Sequence, residues 1–285
     1  MQTGIRLHDS AKGSIEERAA AVSAQGFQCV HIALSKLYED KKYSADSALT
    51  PGYAMYLKKV FEEKNLDIAV LGCYLNLANP NPGKLTAIQE RYMAHIRFAS
   101  HLCCGVVGTE TGAPNEEYKA VPECHGKEAL DTFIRNLAPV VEYAESMGVL
   151  VAIEPVFKHI VWNPDRAREV LKAIASPNLR IIFDPVNLLD LSNYKTQKDV
   201  FKDAIDKLHD DIAVVHLKDY LVEDAGLKSV GAGKGCMEYE EILTFIAKEK
   251  PYIHVTLENT TPETAVWSKQ YIQDIYERVR TGESK

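Results

Sequence analysis

Val-Leu-Val-Ala-Ile-Glu-Pro, residues 149–155, reads as a short apolar strand that ends on a carboxylate. Three later stretches have the same form: LRIIFDP (179–185), IAVVHLKD (212–219) and IHVTLEN (253–259). Each run is rich in Val and Ile, as a strand buried on both faces of a parallel sheet should be. The polar residues that close them are Glu154, Asp184, His216 and Glu258. They recur at steps of 30, 32 and 42 residues, about the length of a strand, a helix and their connections.

Runs of the same kind occur toward the N-terminus at Ile5–His8, Cys29–Leu34, Leu66–Leu71 and Gly105–Thr109. With Val149–Ile153, Arg180–Phe183, Ile212–Val215 and Ile253–Leu257 they make eight strands. Helix punctuation fills the intervals. Ser14-x-x-Glu17 is a capping box, and Gly26 sits where that helix stops. Thr50-Pro51, Asn163-Pro164 and Thr261-Pro262 each put a capping side chain before a proline at the first helical position. Gly148 closes the long segment Lys127–Met147. Eight βα units predict an α/β fold, a (β/α)8 TIM barrel in which residues 1–285 form a single domain. A doubly wound open sheet would carry a glycine-rich loop after its first strand, and here that strand runs into His8-Asp9-Ser10.

The composition suits one soluble domain: 285 residues, 46% hydrophobic and 26% charged. A formal charge of −7 disfavours a phosphate-backbone partner, so no nucleic acid is expected. The opening MQTGIRLHDS has no apolar signal core, and no apolar run approaches the ~18 residues of a membrane span. None of the six cysteines forms a C-x-x-C pair, and Cys103 and Cys104 are adjacent. These features predict a reduced, cytoplasmic protein with no membrane partner, its cysteines mostly packed as small buried hydrophobes.

In such a barrel the chemistry sits at the C-terminal ends of the strands. Glu154, Asp184, His216 and Glu258 close strands five to eight, which are neighbours in the wall. Taken singly, each has a duller reading, as a helix cap, an ion-pair partner or a histidine satisfied by a backbone carbonyl. Four in register from consecutive units are harder to explain that way. Three carboxylates so close repel one another, and a divalent cation relieves the repulsion. Mixed carboxylate and imidazole ligation suits one Mn, Mg, Co, Fe or Zn ion, with Mn favoured, better than calcium.

The motifs IEP, FDPVN, VVHLKD and TLEN resemble those of the xylose isomerase-like TIM-barrel superfamily. It includes sugar phosphate isomerases and epimerases such as the tagatose and psicose 3-epimerases, hydroxypyruvate isomerases and inosose dehydratases. Apurinic endonucleases are distant relatives. The resemblance implies that Glu154, Asp184, His216 and Glu258 bind one metal ion, and that Glu154 and Glu258 face the substrate carbon from opposite sides and exchange its proton. It also implies a homodimer or homotetramer. The expected activity is a metal-dependent sugar or polyol isomerase/epimerase working through a metal-stabilised enediolate. The alternatives are a dehydratase or lyase on a keto-sugar or keto-cyclitol, and a non-catalytic sugar-binding barrel.

Asn187 departs from the Asp-x-x-His pattern of many relatives; it can hydrogen-bond a sugar hydroxyl but is a poor zinc ligand. The endonuclease branch needs further histidines at earlier strand ends, where this chain has Cys73-Tyr74 and Thr109-Glu110-Thr111. By position, Asn187, His159, Lys218, His8, Glu110 and Tyr74 are the candidate substrate-binding residues, with Asn76 beside them and Trp162 as an apolar wall. Asp219 is a candidate to orient His216. Gly231-Ala232-Gly233-Lys234-Gly235 reads as a flexible active-site loop, and Lys41-Lys42-Tyr43-Ser44 as an exposed charged loop or a lid. His31, inside strand two, is expected to serve the core or face a helix.

Overall fold

Strand alternation decides which side chains enter the barrel. The computed structural model describes residues 1–38 and 45–282, so the Lys41–Ser44 stretch lies outside the described residues. Eight parallel strands close the barrel: β1 (Gln2–Arg6), β2 (Cys29–Ile32), β3 (Asp67–Gly72), β4 (Val106–Glu110), β5 (Leu150–Glu154), β6 (Leu179–Phe183), β7 (Ile212–Leu217) and β10 (His254–Leu257). Each pairs with the next, and β10 closes on β1 from Gln2↔His254 to Ile5↔Leu257. Two further strands, β8 (Asp219–Glu223) and β9 (Gly226–Val230), form an antiparallel hairpin between β7 and the next helix.

The helices are α1 (Ile15–Ala24), α2 (Leu34–Leu37), α3 (Pro51–Glu62), α4 (Pro82–Leu102), α5 (Lys127–Met147), α6 (Pro164–Ile174), α7 (Gln197–Leu208), α8 (Glu240–Glu249) and α9 (Ala265–Thr281). The Ser14–Glu17 capping box starts α1, Thr50 caps α3 and Asn163 caps α6. Gly148 ends α5 at φ 65°, a left-handed conformation that glycine adopts without steric cost. No helix among the described residues is long and apolar enough to cross a membrane. All six cysteines are free; Cys103 and Cys236 are exposed and the other four buried.

Two apolar clusters divide the interior. The larger lies between the sheet and the helices and takes Val30, Val151, Ile153, Ile181, Phe183, Val215 and Leu257 from the strands. The smaller, with Cys29, Val106, Ala152, Ile182 and Val214, plugs the barrel itself. Two residues further along the same inward faces come His31, Glu154, Asp184 and His216, and Lys218 follows His216. The apolar plug thus places the polar residues one layer above it, at the C-terminal mouth.

The strand ends shift slightly from the sequence expectation throughout, and two boundaries show the cause. β1 ends at Arg6, and Leu7–Asp9 is a 3-10 turn stapled by the Ser10 hydroxyl, which donates to the Leu7 carbonyl at 2.6 Å. The last helix begins at Ala265 rather than at Pro262, because Thr261 and Thr264 first close a turn on each other. Asn81-Pro82 caps α4 by the same device as Asn163-Pro164. The β8–β9 hairpin had no expected counterpart.

Candidate active site

The floor of the barrel mouth is a chain of charged contacts. Lys218 Nζ stands 2.6 Å from Asp184 Oδ2 and 3.3 Å from Glu258 Oε2. Glu258 Oε1 is 3.2 Å from His216 Nδ1, and Glu154 Oε2 is 3.5 Å from the same nitrogen. Asn187 locks the other side: its Nδ2 donates to Glu154 Oε1 at 2.6 Å and its backbone N–H to Asp184 Oδ1 at 3.2 Å. Arg6 reaches Glu258 Oε2 at 3.3 Å while its guanidinium is held by Asp9 at 2.9 Å. Glu154, Asp184, His216, Lys218 and Glu258 are all buried.

The electrostatics show a floor short of positive charge. Burial pushes Asp184 up to about 6, with Glu154 and Glu258 adding to it against the pull of Lys218. For Glu258, burial raises the pKa but Lys218, His216 and Arg6 outweigh it, holding the carboxyl well below the usual range. For His216, burial favours the neutral ring, yet Glu258 and Glu154 carry the net shift upward. Lys218 is likewise driven up by Asp184 and Glu258 against its burial.

These residues fit a divalent cation. One ligand atom each from Glu154, Asp184 and His216 lie within 4.8 Å of one another, and the same holds for His31, His216 and Glu258. Both ring nitrogens of His216 are buried without a hydrogen-bond partner, and Asp184 Oδ2 makes no aligned hydrogen bond. Buried polar atoms are otherwise nearly always paired. Three carboxylates around a buried imidazole are a donor set suited to Mn, Fe, Co or Zn.

Above the floor lies a cavity of about 490 Å³ lined by Arg6, His8, Ser35, Lys36, Tyr74, Glu110, Tyr118, Glu154, Asn187, Lys218 and Glu258. Five expected substrate-facing residues, Asn187, Lys218, His8, Glu110 and Tyr74, line it. His159 stands one layer back, its Nδ1 3.6 Å from Glu110 Oε2 and its ring centroid 5.3 Å from that of Tyr118. Burial pushes His159 and His8 down to about 4, so both are neutral at pH 7. Trp162 turns away, stacks on His125 and lines a separate cavity of about 290 Å³. Asn76 is structural: its Nδ2 donates to the carbonyls of Ala113 and Asn115, tying the loop after β3 to the loop after β4.

The sequence carries a strong resemblance to one family, and the barrel with its strand-end quartet agrees. The profile of the xylose isomerase-like TIM-barrel family matches residues 19–275. This chain belongs to that family. No curated protein sequence matches it. Among solved structures, a D-tagatose 3-epimerase-like protein superposes with TM-score 0.77 at 22% identity, over 100% of both chains. D-psicose 3-epimerase from Clostridium cellulolyticum H10, solved with D-tagatose, gives 0.72 at 15%, over 98% of this chain and 99% of that one. The IOLI protein, solved with a zinc atom, gives 0.70 at 17%, over 100% of both.

Within this family member, two residues and one loop do something other than expected. His31 faces the mouth and stacks on His216, with Nε2 3.0 Å from the Tyr74 hydroxyl. Gly72 makes room for that contact, since a Cβ there would come within 2.9 Å of His31 Nε2. Asp219 does not orient His216. Its carboxylate accepts from the backbone N–H groups of Tyr220, Gly233 and Met237, so it pins the glycine-rich loop after β9 instead. Gly235 in that loop is obligatory, because a Cβ would lie 2.1 Å from the Tyr220 carbonyl oxygen. The loop expected to be flexible is thus tied down by Asp219 at Gly233 and, just beyond it, at Met237.

Arg6, Ser35, Lys36 and Tyr118 line the cavity without having been singled out. Arg6 had a signal: a charged residue in an apolar run, two positions before a candidate rim histidine. Tyr118 follows β4 by eight residues with no motif around it.

Proposed function

We propose that this protein is a divalent-metal-dependent isomerase or epimerase of a keto-sugar or related polyol. The observation that carries the reading is that two buried carboxylates, Glu154 and Glu258, reach one imidazole nitrogen at 3.5 and 3.2 Å beneath a sugar-sized cavity. Fold neighbours named as tagatose and psicose 3-epimerases support it. Glu154, Asp184, His216 and Glu258 would hold the metal, Mn by preference, which when bound supplies a Lewis acid for the substrate carbonyl and its adjacent hydroxyl.

The rest of the chemistry falls to side chains of this chain. Glu258, kept ionised by Lys218, His216 and Arg6, is the base for the proton next to the carbonyl. Glu154, oriented by Asn187 and protonated from solvent, delivers that proton from the other side of the enediolate, which inverts the carbon, and Glu258 then releases its own proton to solvent. Tyr74, Glu110 and Asn187 offer hydrogen bonds to hydroxyls along the cavity.

The test is incubation of chelator-stripped protein with a panel of ketoses and inososes in D2O, with and without added Mn or Co. Deuterium entering a substrate carbon only when metal is added supports the reading. Loss of water from the substrate would move the protein to the dehydratases. No exchange and no product across the panel with metal present would remove the enzyme reading.

A further inference from the structure

We propose that Lys218 is a built-in counter-cation that competes with the divalent metal for the Asp184 and Glu258 carboxylates and thereby weakens metal binding. The inference rests on the reading that the quartet is the metal site and concerns how tightly that site holds its ion.

The placement follows from β7. Val214 lies in the barrel plug and His216 in the floor, so alternation brings Lys218 to the next inward position. Its backbone is fixed on both sides: the Lys218 carbonyl accepts from the Tyr239 hydroxyl at 3.0 Å, and the neighbouring Leu217 carbonyl from the Glu258 N–H at 3.0 Å. A side chain launched from there ends between two of the three floor carboxylates, 2.6 Å from Asp184 Oδ2 and 3.3 Å from Glu258 Oε2.

The charge count gives the direction. Glu154, Asp184 and Glu258 bring three negative charges, and Arg6 is shared with Asp9. A divalent ion on the quartet alone would leave one negative charge; with Lys218 the floor is neutral. A metal ion must therefore take carboxylates that already hold a buried ammonium, and must then sit beside that ammonium. Both effects cost affinity, and burial screens neither. Lys218 also lines the cavity, so the displaced ammonium has the substrate space to turn into.

The experiment is calorimetric titration of Mn2+ into chelator-stripped wild type, Lys218→Met and Lys218→Arg, each checked by thermal melting. Lys218→Met should bind Mn2+ at least tenfold more tightly than wild type, and Lys218→Arg, which keeps the cation, should match wild type. A gain of affinity cannot come from a damaged fold. Equal or weaker binding by Lys218→Met, with wild type binding measurably, overturns the proposal. Tighter binding by Lys218→Arg as well would overturn the charge account. If Lys218→Met fails to fold, Lys218→Gln takes its place under the same criterion. If none of the folded proteins binds Mn2+, the metal reading falls, and this inference with it.

Discussion

His31 and His216 lie face to face, their ring centroids 5.1 Å apart and their planes 23° from parallel. Burial holds His31 neutral, with His216 adding to that effect, while Glu258 and Glu154 favour a charged His216. His31 is then a ring-shaped support for His216, anchored by the Tyr74 hydroxyl at 3.0 Å. Replacing His31 by Phe keeps the stacking surface and removes both nitrogens. Loss of a supporting residue of this kind commonly costs ~10- to 100-fold in metal affinity. His31→Phe is expected near the low end of that range and His216→Ala well beyond it, measured by Mn2+ calorimetry. Equal losses in the two variants would make His31 a ligand in its own right.

His31 also shows where sequence reading stops. The fold was legible because each strand repeats one apolar pattern, and the quartet was legible because a polar residue ends an otherwise apolar run. In β2 every residue of Cys-Val-His-Ile is buried, so polarity does not tell the inward from the outward face. Only the register, with Cys29 in the barrel plug, fixes His31 toward the mouth. Asp219 differs for another reason: besides its neighbour Tyr220, its partners are backbone N–H groups 14 and 18 residues away, and no motif spans that gap.

Glu258→Gln removes the negative charge that Lys218, Arg6 and His216 converge on while keeping the side chain's shape. A general base of this kind commonly supplies ~10²–10⁴-fold in rate. At saturating Mn2+, kcat should fall by that order with KM nearly unchanged, and solvent deuterium should no longer enter the substrate. Near-wild-type exchange would take Glu258 out of proton transfer.

Asn187 holds Glu154 and Asp184 at once, by 2.6 Å and 3.2 Å hydrogen bonds from its side chain and backbone. Asn187→Ala removes only the first, leaving the backbone bond to Asp184. Glu154 then loses its fixed orientation, and kcat should drop by roughly 10- to 100-fold, in the range seen when a supporting hydrogen bond is lost. The melting temperature should stay within a few degrees of wild type. Unchanged kcat would mean that Glu154 is positioned by His216 alone.

Acid should loosen the fold, and four imidazoles set the sign. Burial holds His8, His95 and His159 down at about 4 against an ordinary 6.5, and His31 well below 6.5. Each is neutral when folded and free to take up a proton when unfolded. The stability tied to that difference is present above pH 6.5 and is lost as pH falls from 6.5 toward 4. His216 and Asp184 work the other way. The raised His216 stabilises most below 6.5, and Asp184, raised to about 6, weighs against the fold mainly above that value. Glu110, raised by burial, works the same way as Asp184, and four against three still leaves a net loss on acidification. His95 is the clean probe, because it lies buried in α4 with its Nδ1 2.9 Å from the Arg91 carbonyl, outside the cavity lining. A fully neutral buried imidazole contributes ~1.4 kcal/mol per pH unit below its unfolded pKa. The melting temperature of chelator-stripped wild type should therefore fall steadily from pH 7 to pH 5. His95→Gln should be less stable at pH 7, where the packing of the ring is lost, yet show a shallower slope by about one proton. A flat wild-type profile, or an unchanged slope in the variant, would show that these rings take up protons without unfolding.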